Sequence, residues 1–326
     1  MSQLKWYACE IHCHTKNSDG EFTVLGLTKA ARERKIDGIC LTDHNTQSGL
    51  CQTDKTVVPV LPGVEWTTFY GHMLVLDCKK ELDWRKCNLD NIDDMISQIK
   101  DNNGLVGIAH PYQLGTPICT GGHWDFEIND WSKIDFIEIW SDGKPFLNAA
   151  NSRAIKLWHS RLDEGYHISP TFGRDWHKVR DNSFISACTY LGIENSIVTP
   201  SEMKKAIMNG RISVSAGPLF YMKTQDDNYS GDLIAQGEIE LEFVIDMNRM
   251  KKVADRNLII PKKIRLVTNN EETVFTLDVE GKCQKAKVLL RKGHWYSAEL
   301  WGQENEKEHT LLAVTAPIYI KDLKDE

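Results

Sequence analysis

The chain has 326 residues, 41% apolar and 26% charged, which suits one large domain plus a smaller one with a sizeable core. A net charge of -7 without a basic stripe disfavours wrapping a nucleic-acid backbone, although a small anion is compatible where bound cations reverse the local field. No stretch reaches the roughly 20 apolar residues that span a bilayer, the start shows no signal peptide, and nine cysteines without a C-x-x-C pair read as reduced thiols of a cytoplasmic protein.

Residues 6–11 read as a strand and 23–35 as a helix with Leu27, Ala30 and Ala31 on one face. Short apolar runs at 38–41, 57–61 and 72–76 read as strands, the second closed by Pro62-Gly63. Asp90 can cap a helix that turns Ile92, Met95, Ile96 and Ile99 inward and stops at Gly104. Strands follow at 105–109, 136–140 and 168–172, with a helix over 148–162 ended by Gly165 and another running from Ser201 to Gly210. Strand and helix alternating at this spacing predict parallel βα units, which tend to close into a barrel with its chemistry at the strand ends. After residue 216 the texture changes. The runs 239–245, 263–267, 273–277, 286–290 and 295–301 alternate apolar and polar residues, as half-buried antiparallel strands do. The expected organisation is an α/β part over 1–215 and a small all-β, sandwich-like domain over 216–326.

The chemistry-bearing residues gather at the expected strand ends. His12 and His14 close the first strand, and side chains two apart on a strand point the same way. Asp19 follows in Asn17-Ser18-Asp19-Gly20; Asp43-His44 closes the second strand; Glu65 follows the third; His72 starts the next. His110 closes another strand, Glu138 lies within one, and Asp175-Trp176-His177 follows the last. A lone histidine at a strand end is ordinarily a hydrogen-bonded structural residue. Here six of the eleven histidines sit at such places beside several carboxylates, the ligands that zinc, manganese and iron accept. One ion needs about four protein ligands or fewer, so nine candidates imply two or three ions, with Glu65 the best bridge. Such ions convert water to hydroxide and polarise a phosphoryl or carbonyl oxygen, so hydrolysis needs no nucleophilic serine or cysteine.

His12-x-His14, Ser18-Asp19-Gly20, Thr42-Asp43-His44-Asn45, Glu65, His110-Pro111 and Gly173-Arg174-Asp175-Trp176-His177 together resemble the motifs of the PHP (polymerase and histidinol phosphatase) superfamily. The resemblance implies a distorted (β/α)7 PHP barrel with a di- or trinuclear centre of divalent zinc, manganese or iron. By motif position His12, His14, Glu65 and Asp175 would hold one ion, Asp19, His44 and His177 a second, and Glu65, His72 and His110 a third. His12, His14, Asp175 and His177 would then stand at the reacting centre. Gly71-His72 and the terminal β region look most like the CehA/McbA subgroup of metallohydrolases. Arg174 and Trp176 depart from the small residues usual in the last motif, which puts the family's usual substrate fit in question.

Several neighbours of these residues carry two readings. Arg174 is either a fork that grips a substrate phosphate at the catalytic centre or a salt-bridge partner of a rim acid. Trp66, Trp140 and Trp176 either wall a pocket for a ring-bearing substrate or belong to the core. Asp43 is read as orienting an imidazole, Glu138 as supporting a ligand from behind, and Gly121-Gly122 as a lid hinge or an ordinary surface turn. The function expected first is a phosphoesterase acting on a small or nucleotide-like phosphate ester. The alternatives are a carboxylic-ester, carbamate or amide hydrolase with the same metals, and a non-catalytic metal-holding module whose β domain binds carbohydrate or protein.

Overall fold

The computed structural model describes residues 3–115, 121–142, 148–178, 187–248 and 259–321. In chain order the first part comprises β1 (Lys5–Glu10), α1 (Val24–Glu33), β2 (Gly38–Leu41), β3 (Val60–Thr68), β4 (Gly71–Leu76), α2 (Ile92–Asp101) and β5 (Leu105–Ile108). It continues with β6 (Phe136–Ser141), α3 (Ala149–Asp163), β7 (Ser169–Gly173), β8 (Cys188–Ile193), α4 (Pro200–Met208) and β9 (Ile212–Ser215). The strands that follow are β10 (Leu219–Thr224), β11 (Leu233–Ile234), β12 (Gly237–Asp246), β13 (Ile259–Thr268) and β14 (Glu272–Asp278). The chain ends with β15 (Cys283–Leu290), β16 (Trp295–Glu304), β17 (Lys307–Thr315) and β18 (Ile318–Ile320).

Local chemistry sets most boundaries. Thr23 caps α1 by accepting from the Gly26 N–H, and the helix buries Val24, Leu27, Thr28 and Ala31. Asn148 caps α3 through the Ala150 N–H. Two helix starts differ from expectation. Asn91, not Asp90, precedes α2 and makes no side-chain cap; Asp93 and Asp94 in its first turn suit the positive end of the helix instead. Thr199 caps α4 through the Glu202 N–H, with Pro200 opening the helix ahead of Ser201. Pro62-Gly63 does not close a strand, because β3 runs through it to Thr68. Gly63 is there for close approach: a Cβ would meet the Leu76 side chain at 2.7 Å and the Leu41 carbonyl at 3.1 Å.

The fold is mixed α/β. Strands β1–β2, β2–β3, β5–β6 and β6–β7 pair in parallel, as βα units require. The expectation of uniformly parallel pairing is corrected at β4, which returns as a hairpin and lies antiparallel to both β3 and β5. A second departure is β8, antiparallel to both β1 and β9. Past the ends of β1 and β7 the chain pairs again, the His14 N–H donating to the Trp176 carbonyl at 3.0 Å and the Trp176 N–H to the His12 carbonyl at 3.2 Å. Those bonds bring the His12 and Asp175 segments side by side.

The sheet does not stop at residue 216. β9 pairs antiparallel with β17, which continues through β16 to β18 and β11, while β13 and β14 extend from β16. β10, β12 and β15 form a separate three-stranded sheet. Phe220, Phe243, Leu266 and Leu300, drawn from both sheets, share one buried cluster, and a larger cluster under β3 to β7 holds Trp66, Trp140 and Trp158. Among the described residues eight cysteines are free thiols, and no helix is long and apolar enough to cross a membrane.

Candidate metal centre

Six of the nine expected ligands follow the end of a strand. His12 and His14 follow β1, His44 follows β2, Glu65 sits within β3, His72 within β4, His110 just past β5, and Asp175 and His177 past β7. Two of them hold unusual backbone: φ is 29° at His110 and 52° at Asp175, and neighbouring Asn45 has 52°. Residues other than glycine seldom adopt this left-handed region, and where they do the surroundings must hold them there.

The side chains converge as four overlapping groups. One is His12, His14, Glu65 and Asp175; a second is His14, Asp19, His44 and His177; a third is Glu65, His72 and His110; a fourth is His12, His110 and Glu138. In each group one potential ligand atom per residue lies within 4.8 Å of the others. Glu65 is central. Its Oε2 stands 3.1 Å from His12 Nε2, 3.4 Å from His14 Nε2 and 2.8 Å from His44 Nδ1. Its Oε1 stands 2.9 Å from His72 Nδ1 and 3.2 Å from His110 Nε2. Asp175 Oδ1 lies 3.0 Å from His14 Nε2 and 3.4 Å from His12 Nε2. Asp19 reaches His177 Nε2 at 3.1 Å and His44 Nε2 at 3.5 Å.

Glu65 Oε1 is hydrogen-bonded to His72 and His110, but the contacts around Oε2 and Asp175 Oδ1 are close in distance without hydrogen-bonding angles. His12 Nε2, both ring nitrogens of His14, Glu65 Oε2 and Asp175 Oδ1 are buried yet have no partner in hydrogen-bonding geometry. Buried polar atoms are rarely left so, because each costs about 1–3 kcal/mol. Nitrogen and carboxylate lone pairs facing shared points, rather than each other, are what divalent cations would satisfy, so the residues fit such ions.

The same crowding shifts the acids and bases. Burial would raise the Glu65 carboxyl, but the His12 and His44 imidazoles outweigh it and hold it well below the usual range. Burial opposes protonation of His12, yet Glu65, Glu138 and Asp175 push its value well up. His14, with fewer compensating contacts, is pulled down by burial to about 4. Burial would lower His177, but the hydrogen bond to Asp19 and the charge of Asp175 bring it to about 9.

A supporting layer fixes these donors. Glu138, buried, accepts from His12 Nδ1 at 2.9 Å and from the His110 backbone N–H at 3.0 Å. Thr67, which nothing in the sequence singled out, sets its hydroxyl 2.6 Å from His44 Nδ1 and is itself clamped by Asn45. Asp43 does not orient an imidazole; its carboxylate accepts from the Thr15 N–H and from the Thr15 and Ser18 hydroxyls, shaping the turn that carries Asp19.

Two expectations about substrate contacts are corrected. Arg174 is turned inward: its Nε and backbone N–H donate to the buried Glu10 at 3.2 and 3.0 Å, and a terminal nitrogen donates to the Ala187 carbonyl. At 4% exposure, with its backbone N–H, Nε and Nη2 bonded within the fold and only Nη1 left without a partner, Arg174 is placed as the salt-bridge partner of Glu10. Trp66, Trp140 and Trp176 are all core, with Trp176 edge-on to Phe22. They are too enclosed to wall a substrate pocket at the metal centre. Gly121, the other candidate, packs so closely under the β3–β4 turn that a Cβ would collide with the Thr68 carbonyl, and residues 116–120 beside it lie outside the described residues.

No family model matches the chain. An uncharacterized protein of Methanocaldococcus jannaschii is 30% identical over 148 residues, covering 40% of this chain and 80% of that protein. A two-domain protein of Bacteroides vulgatus, described as containing a predicted PHP-like metal-dependent phosphoesterase, superposes over 97% of this chain and 96% of its own with a TM-score of 0.52 at 14% identity. An amidohydrolase of Chromobacterium violaceum matches 53% of this chain and 88% of its own, with a TM-score of 0.34 at 17% identity.

Proposed function

We propose, for a chain that belongs to the same family as the Methanocaldococcus jannaschii protein and has the fold of PHP-like phosphoesterases, a metal-dependent hydrolase of small anionic phosphate esters. The observation that carries this reading is the set of buried, geometrically unpaired nitrogen and oxygen atoms around Glu65. We read the first group as holding one ion, the second as holding another, and Glu65, His72 and His110 as holding a third, with Glu65 shared. When bound, divalent ions at these groups would acidify water and draw charge from a phosphoryl oxygen. The chain's own residues do the rest. Glu138 fixes the His12 ring so that Nε2 faces inward, Thr67 does the same for His44, and the Thr15–Asp43–Ser18 turn aims Asp19. Asp19, the most exposed of the donors at 58% of its side chain, marks the open side from which substrate would arrive.

The finer architecture belongs to the same proposal. Strands β1 to β7, joined past their ends by the His12–Trp176 and His14–Trp176 bonds, are read as a distorted (β/α)7 barrel over 1–215, followed by a β-sandwich-like domain over 216–326. The location proposed is cytoplasmic, in keeping with the free thiols.

The test pairs elemental analysis of the purified protein with a panel of phosphate mono- and diesters supplemented with zinc, manganese or iron. Two or three ions per chain and phosphate release are expected, with His12→Ala and Asp175→Asn losing turnover and metal together. Full turnover by either variant would sink the proposal. Cleavage of aryl carbamates or esters without phosphate release would move the reaction to carbonyl centres at the same metals.

A further inference from the structure

A cavity separate from the metal centre lies between α3 and the C-terminal strands. Its volume is about 280 Å³, just under the roughly 300 Å³ at which small-molecule pockets begin, so it suits a ligand of about one ring. Lys156 and His159, from one face of α3, line one side, and Arg265 of β13 with Glu299 and Trp301 of β16 line the other.

The polar groups are arranged for a ligand that none of the chain's own groups supplies. Glu299 is buried and directly opposite Arg265 across the β13–β16 ladder. Its Oε2 accepts from Arg265 Nε and from Trp301 Nε1, each at 2.7 Å. One carboxylate therefore fixes both the guanidinium and the indole, and the guanidinium stands 5.4 Å from the Trp301 ring. The pair uses only Arg265 Nε; the side chain keeps 35% of its surface exposed, so its two terminal nitrogens remain available as a fork. Across the cavity, Lys156 is exposed and has no carboxylate in ion-pair reach among the described residues. The other wall acid, Glu271, is taken up by His159 Nδ1 at 3.2 Å, and His159 Nε2 is left with no hydrogen-bond partner. Both acids are thus engaged, and the cavity offers a fixed guanidinium fork, an ammonium and an indole.

We propose that this cavity binds a small ring-bearing organic anion, its carboxylate or phosphate taken by Arg265 and Lys156 and its ring lying along Trp301. The site does not depend on the metals or on the reaction proposed for them.

Calorimetric titration of the full chain with phenylphosphonate and with glucuronate tests this, the first presenting a phosphonate that is no ester and the second a carboxylate, each on a single ring. Saturable binding of at least one probe is expected, weakened at least about tenfold by Lys156→Gln, an exposed helix position where folding is safe, and unchanged by His12→Ala. Arg265→Lys, which keeps the charge beside Glu299 but removes the fork, should weaken binding similarly. The proposal is overturned if neither probe binds, if Lys156→Gln and Arg265→Lys both leave affinity unchanged, or if binding disappears in His12→Ala, which would place the probe at the metal centre.

Discussion

Glu138 does two things with one carboxylate: it fixes the His12 ring and it holds the backbone of His110. Glu138→Gln keeps the shape but can no longer act as a charged acceptor for both. Partners of this kind are worth about 10–100-fold in metal affinity, and the same loss is expected here in a competition titration with a chromogenic chelator, with near-native circular dichroism. Arg174 makes the opposite prediction. Its pair with Glu10 is enclosed on both sides, so Arg174→Ala leaves a buried carboxylate unpaired and should cost about 3–5 kcal/mol in urea unfolding. KM for a phosphate ester should stay within about twofold in whatever protein folds; a large rise in KM with unchanged stability would restore Arg174 as a substrate contact. At this scale the convergence of these histidines and carboxylates was legible, because so many of them recur near strand ends. Which way Arg174 pointed was not, since a guanidinium pairs equally well with a substrate or with a buried acid 164 positions away.

At the scale of elements, the strand ends act as a jig, and glycine is part of it. A Cβ on Gly173 would stand 1.9 Å from Glu138 Oε1, so the last residue of β7 has to be small for Glu138 to reach His12. Gly173→Ala should therefore reduce bound metal per chain while the amide exchange of β5 and β6 remains slow; unchanged metal content would show that Glu138 can shift without consequence. Continuous apolar runs located β2, β5 and β6, which are buried at every position, and helical periodicity located α3, which buries one face. Sequence patterning failed at Pro62-Gly63, where turn-forming residues serve close packing inside β3. It also missed β8 and β9, and it could not foresee that β4 runs antiparallel, because strand direction is decided by connections rather than by composition.

Across the whole molecule, two stability effects should be separable. If cations occupy the centre only in the folded state, their removal must lower stability, by about 2.7 kcal/mol when free metal stands at a hundred times its Kd. A chelator should thus lower the melting temperature, and restored metal should recover it. The second effect is metal-independent. Burial holds His159 below its ordinary value against the pull of Glu271, with Glu299 and Asp163 also nearby. The folded chain then binds fewer protons there than the unfolded chain, so this contribution is full above the ordinary imidazole value of about 6.5 and is lost as pH falls through the folded value. His159→Gln should flatten the fall in stability below about pH 6.5, measured on chelated protein; an unchanged slope would assign that fall to other groups.

The ladder in which β9 lies between β8 and β17 bears on how this chain can be shortened. A fragment ending at residue 215 would keep every proposed metal donor yet bare the hydrogen-bonding flank of β9, where Ser213, Val214 and Ser215 normally meet β17. Unshielded flanks of that sort recruit other chains. Such a fragment should self-associate or precipitate, and it would recover solubility only when residues 216–326 are supplied alongside it.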